Sequence, residues 1–95
     1  MMDIAKSNIV KSVAGRDQGS HFFVLATEGD FLLLADGKRR RVEQPKRKKR
    51  KHVQLMDVSG GAVGERIRGN EKITNSELRK AIAAWEGSGN QDQEG

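Results

Sequence analysis

Residues 22–37 read FFVLATEGDFLLLADG, in which two apolar runs lie on either side of Glu28-Gly29-Asp30. Neither run alternates between apolar and polar residues, and this pattern predicts two strands that are covered on both faces. We expect the two strands to pair with each other and to form the centre of a sheet. The dipeptide Asp36-Gly37 follows the second run and predicts a tight type I′ turn, in which both central residues have positive φ.

Shorter apolar bursts flank these two runs and bring the predicted number of strands to five. Residues 9–13 precede them, and Val42 and residues 53–56 follow them. Residues 9–13 and 53–56 have the length and composition of short strands, and Val42 marks the position of another. Pro45, the only proline, is predicted to end the fourth strand. Residues 46–51 are all Lys or Arg, and we expect an exposed arm there because so many like charges pack poorly.

The C-terminal third predicts a linker followed by a helix. Residues 58–73 contain four glycines, which is typical of a flexible linker. Thr74 and Glu77 have capping-box spacing, which predicts a helix over residues 74–86 and a disordered tail over 87–95. A helix this short needs a surface to dock on. Its apolar stripe is predicted to pack on the sheet or, alternatively, to bind a partner. The residues of the stripe are Leu78, Ala81, Ile82 and Trp85.

Positive charge is concentrated in one segment of the chain. The formal net charge is +5, from 18 Lys and Arg against 13 Asp and Glu. Residues 38–51 hold ten of these bases and a single acid, Glu43, so this segment carries +9 and the remainder carries −4. Such an asymmetry predicts a polyanionic partner.

Several kinds of chemistry lack the residues that they require. The absence of cysteine excludes disulfides, a thiol nucleophile and thiolate metal sites. The only two histidines, His21 and His52, have no cysteine partner for a metal site and do not indicate a Ser–His–Asp arrangement. The sequence also contains no glycine-rich nucleotide-binding loop. No apolar run is long enough to span a bilayer, and no secretory pattern opens the chain. We therefore predict a cytoplasmic binding protein that is not an enzyme and needs no cofactor.

A resemblance to a known family makes these expectations more specific. Residues 10–19, VKSVAGRDQG, followed by the apolar residues 22–25, resemble the KOW motif of large-subunit ribosomal proteins and of transcription elongation factors of the NusG kind. Residues 35–46, ADGKRRRVEQPK, narrow the match. They look like the short bacterial KOW-domain RNA-binding proteins related to the fourteen-e class of archaeal and eukaryotic ribosomal proteins. The resemblance covers residues 9–56, and Gln18 stands where many relatives carry lysine.

The resemblance implies an all-β fold with a C-terminal helix. Residues 8–57 would form a small SH3-like barrel of five strands, followed by the glycine-rich linker and the amphipathic helix. It also implies RNA binding through the KOW loop and the basic surfaces beside it, with ribosomal RNA and the large ribosomal subunit as expected partners. The predicted RNA-binding residues are Gly15, Arg16, Gln18, Gly19, Lys38, Arg39, Arg40, Arg41, Lys46, Arg47, Lys48, Lys49, Arg50, Lys51 and His52.

Each part of this site also has a simpler interpretation. Gly15 and Gly19 could let the loop approach a sugar-phosphate backbone, or could serve turn geometry alone. Residues 38–41 could contact RNA or protect a strand edge, and residues 46–51 could be a nuclear-localisation tract or a membrane-surface patch. Asp17 is predicted to hold the loop rather than to meet phosphate. The main rival function is a protein–protein adaptor in transcription elongation. The low aromatic content favours recognition of RNA by charge and shape.

Overall fold

The computed structural model describes residues 3–88, which form one antiparallel sheet of five strands and two α-helices. The strand order is β4-β3-β2-β1-β5. A 3₁₀ turn, Arg50–His52, connects β4 to β5. In chain order the elements are β1 Ile9–Ser12, β2 His21–Glu28, β3 Phe31–Ala35, β4 Lys46–Lys49, β5 Val53–Asp57, α1 Gly61–Arg68 and α2 Asn75–Gly87.

The sheet carries one hydrophobic cluster on each face, an arrangement consistent with a small barrel-like fold. The register of β2 against β3 shifts between Val24 and Ala26, and that of β1 against β5 shifts between Ile9 and Val10. Such bulges bend a strand and increase its twist. The inner cluster consists of Val10, Phe22, Val24, Leu32, Leu34 and Val53. The outer cluster, which lies under the helices, consists of Ile9, Phe23, Ala35, Ile67, Leu78 and Ile82.

The two clusters explain why the central strands are apolar without alternation. Phe22 and Phe23 are both fully buried, yet they belong to opposite clusters because successive side chains of a strand face opposite ways. Leu34 and Ala35 divide between the clusters in the same way on β3. The predicted pairing of the two strands and the covering of both their faces are confirmed.

The helix predicted at residues 74–86 is present as α2, Asn75–Gly87, and its capping box is confirmed. The Thr74 hydroxyl accepts a hydrogen bond from the Glu77 N–H, and the Glu77 side chain accepts one from the Thr74 N–H. The predicted stripe packs on the outer cluster. Gly87 belongs to the helix rather than to a disordered tail, and residues 89–95 of that predicted tail lie outside the described residues.

An ion pair between the two helices reinforces the cap. The Arg66 guanidinium of α1 donates to Glu77 at the start of α2. This bond, together with those from Thr74, lowers the pKa of the Glu77 carboxyl to about 2. The carboxylate therefore stays charged at any pH near neutrality. Its negative charge also interacts favourably with the positive, N-terminal end of the α2 dipole.

The prediction of a flexible linker over residues 58–73 is wrong, because most of the segment's centre is the helix α1, Gly61–Arg68. Ile67 is 5% exposed and packs in the outer cluster. Gly64 serves close packing rather than flexibility, since a Cβ there would lie 2.4 Å from the Ser59 carbonyl oxygen. Burial of an apolar face thus outweighs a glycine-rich composition.

The prediction of an exposed arm over residues 46–51 is also wrong. The fourth strand is Lys46–Lys49, at the edge of the sheet, whereas Val42 lies in the preceding loop and packs on the outer cluster. Lys48 pairs with the buried Leu32 and is only 8% exposed. An edge strand accommodates this sequence because lysine can bury its aliphatic stem while its ammonium reaches a polar partner.

The Asp36-Gly37 pair opens a longer loop, residues 36–45, instead of a tight type I′ turn. Gly37 has φ +78°, but Asp36 does not have positive φ. The Asp36 carboxylate accepts hydrogen bonds from the N–H groups of Lys38 and Arg40, which folds the loop back on itself. Residues 38–41, which the sequence predicts to lie on or beside a strand, lie in this loop, beyond the end of β3.

Candidate nucleic-acid interface

In the loop between β1 and β2, the Gly-Arg-Asp-Gln-Gly sequence exposes four of its residues and buries its aspartate. Gly15 and Gly19 have φ of +78° and +93°, so the turn itself requires glycine at both positions. Both are exposed, as are Arg16 and Gln18. Asp17 is 4% exposed and faces the protein. The loop thus offers one arginine and open backbone to a ligand, while its carboxylate is turned away.

Three basic segments that are separate in sequence converge on this loop. The Lys48 ammonium donates to the Ala14 carbonyl at 2.9 Å. The Arg40 guanidinium donates to the Asp17 carboxylate at 3.0 Å. The Val13 N–H donates to the carbonyl of His52 at 2.9 Å. Loop 36–45, strand β4 and the 3₁₀ turn are therefore all adjacent to the loop between β1 and β2.

Three of the predicted RNA-binding cations are occupied by the protein itself. Arg40 and Lys48 hold the loop between β1 and β2, as described above. Arg50 donates to the carbonyls of Gly29 and Ile4, both at 2.7 Å, and so ties the turn between β2 and β3 to the N-terminal segment. These side chains bond to the fold and position the surface, although the buried Nε atom of Arg40 has no hydrogen-bond partner among the described residues.

Two further cations of β4 lie against an aromatic ring. The Arg47 guanidinium stacks 3.7 Å from the centre of the Phe31 ring and donates to Glu28 at 3.1 Å. The Lys49 ammonium lies 5.9 Å from the same ring. Both cations are exposed, and exposed pairs of this kind contribute little to stability. A polyanion could therefore compete for them at small cost.

Five predicted cations have no hydrogen-bond, ion-pair or ring partner for their side chains among residues 3–88, and Lys49 has only the distant ring contact. Arg41 is neither held by the fold nor without a partner, because its guanidinium makes one 3.5 Å ion-pair contact to the exposed Glu43. Crowded cations without partners are the arrangement that binding of a phosphate backbone relieves. The five are Arg16, Lys38, Arg39, Lys46 and Lys51.

Helix α2 also shapes the site, which the sequence did not reveal. A Cβ on Gly37 would lie 2.1 Å from the Asn75 carbonyl oxygen, so the helix rests directly on loop 36–45. The Asn75 side chain accepts from the Val42 N–H at 2.8 Å and donates to Glu43 at 2.9 Å, which lowers the pKa of the Glu43 carboxyl. No local pattern marks Asn75, because its partners are more than thirty residues away.

No protein-family model matches this chain, and no curated protein matches it significantly. Within residues 3–88, no group of three or more His, Asp or Glu is placed to hold a metal ion. None of the helices in that part of the chain is long and apolar enough to cross a membrane. The functional feature that the described chain does show is the convergence of basic segments on one loop.

Proposed function

We propose that this protein binds RNA through a phosphate-contacting surface made of the loop between β1 and β2, loop 36–45 and strand β4. One observation carries the proposal: Arg40, Lys48 and His52 each join a basic segment to that loop. The cations that remain without partners consequently lie on this loop or on segments that adjoin it. Repulsion among them is relieved when a polyanion replaces their counterions.

The same proposal assigns the barrel to the SH3-like KOW class. In support, β1 and the long apolar β2 are antiparallel neighbours, and the Gly-Arg-Asp-Gln-Gly loop connects them. This is the arrangement that the KOW resemblance implies. The resemblance also favours structured ribosomal RNA as the ligand and a cytoplasmic, ribosome-associated role.

A salt titration tests the proposal against the rival adaptor function. If the five free cations and Lys49 each neutralise one phosphate, log affinity for a single-stranded RNA falls with log salt at a slope of about −4. The slope for a duplex is steeper, about −5. Absence of binding at low salt, or a binding constant that does not change with salt, would contradict the proposal.

A matched pair of double variants locates the contacts. Arg16→Gln with Lys46→Gln removes two free cations beside the loop. Lys72→Gln with Lys80→Gln removes the same charge from exposed positions on the helical side of the molecule. We expect only the first pair to weaken binding, with a slope shallower by about 1.4 for single strands. Equal effects of the two pairs would show that net charge alone drives association.

A further inference from the structure

An open cleft of about 320 Å³ lies where the loop between β1 and β2, loop 36–45 and helix α2 meet. Lys38 and Arg39 line it from the loop, and Arg79 lines it from the helix. Gly19 contributes the wall nearest the loop between β1 and β2. The volume falls within the range of sites that hold small ligands or parts of larger ones.

The charges in this cleft favour an anionic group. Two carboxylates line it, Asp36 and Glu86, and both are engaged. Asp36 accepts two backbone N–H groups at 2.9 Å, and Glu86 lies 2.6 Å from the Nδ1 atom of His21. Lys38 and Arg39 have no side-chain partner in the described chain, and Arg79 makes only one long bond, 3.4 Å, to a loop carbonyl.

We propose that this cleft binds one phosphodiester group of the bound RNA strand, with Arg79 on one wall and Lys38 and Arg39 on the other. The inference rests on the proposed function and extends the binding surface onto helix α2. The path is continuous, because Gly19 lies in the same loop as Arg16. A strand that crosses the tip of that loop can enter the cleft. A guanidinium is suited to the task because its fork matches two phosphate oxygens.

Two adjacent positions on α2, Ala83 and Ala84, provide a first test in which the two variants compared have the same net charge. Ala83 lines the cleft, whereas Ala84 lines the groove on the other side of the helix, beside α1. Both are exposed, and glutamate is a good helix former at either position. We expect Ala83→Glu to lower the affinity for a short single-stranded RNA several-fold more than Ala84→Glu, because only the first places a carboxylate in the phosphate's path.

Removal of the helix cation provides a second test. Arg79→Gln should make the salt slope shallower, by at most about 0.7, because Lys38 and Arg39 remain beside the same phosphate. Lys80→Gln, next to it but not lining the cleft, should leave the slope unchanged. Arg79→Lys should keep the slope because it keeps the charge. Thermal unfolding of each variant separates a loss of binding from a loss of structure.

The outcomes distinguish failure of this inference from failure of RNA binding. If Ala83→Glu behaves as Ala84→Glu, and Arg79→Gln as Lys80→Gln, while Arg16→Gln with Lys46→Gln still weakens binding, the cleft assignment is wrong and RNA binding stands. If none of the variants differs from the native chain, RNA binding at this surface is itself refuted. Adenosine monophosphate could also bind the protein at the same concentrations at which the RNA saturates it. This result would overturn the inference, since the cleft would then hold a free nucleotide.

Discussion

Gly37→Ala tests the contact that joins helix α2 to the basic loop. A Cβ at this position would lie 2.1 Å from the Asn75 carbonyl oxygen and 3.0 Å from the backbone nitrogen of Arg79, so backbone atoms of the helix would have to move. Gly29→Ala is the matched control. Gly29 also has positive φ, +62°, but a Cβ there would meet nothing within 4 Å.

The two substitutions should lower the unfolding free energy by different amounts. Each places alanine in the left-handed region, at roughly 1–2 kcal/mol, partly offset by a stiffer unfolded chain. We expect Gly29→Ala to lose about 1 kcal/mol of unfolding free energy. Gly37→Ala also displaces the first turn of α2 and breaks the bond between the Val42 N–H and Asn75, so its expected loss is about 3 kcal/mol or more.

Urea denaturation of both variants, compared at equal m-values, measures this difference. The RNA affinity of Gly37→Ala should also fall, because loop 36–45 loses its support, whereas Gly29→Ala should bind normally. If the two variants have unfolding free energies within about 0.5 kcal/mol of each other, the contact between loop 36–45 and α2 does not stabilise the fold.

Three other predictions concern stability. Lys48→Gln should lower the unfolding free energy by about 2 kcal/mol, because the Ala14 carbonyl loses a charged donor, while the exposed neighbour Lys49→Gln changes it by under about 0.5 kcal/mol in the same denaturation assay. Leu78→Ala removes a fully buried side chain and should cost about 2–5 kcal/mol; a smaller loss would mean that α2 is loosely docked. Glu77 has a folded-state pKa of about 2 against an ordinary value of 4.5, so the stability it contributes is present above pH 4.5 and is lost as pH falls towards 2. Thermal unfolding over that range should show a weaker acid dependence for Glu77→Gln.

Two of the predictions that hold depend on neighbouring residues, although the local pair Asp36-Gly37 does not form the tight turn that it predicts. The pairing of β2 with β3 follows from two apolar runs joined by a short Glu-Gly-Asp turn. The start of α2 follows from Thr74 and Glu77, whose two bonds span three residues. Two of the predictions that fail were made from composition, namely a linker from glycines and an exposed arm from lysines. In both segments, burial against a distant surface outweighs the local preference.

The candidate site divides in the same way. The sequence by itself determined that a Gly-Arg-Asp-Gln-Gly loop and a segment of +9 charge belong to one small sheet protein, because loop, charge and strand pattern are local properties. Only the tertiary structure decided that Arg40, Lys48 and Arg50 hold the fold while Arg16 and its unpaired neighbours remain available. The physical reason is that those three side chains bond to residues 23, 34 and 46 positions away along the chain, and only folding brings such partners together.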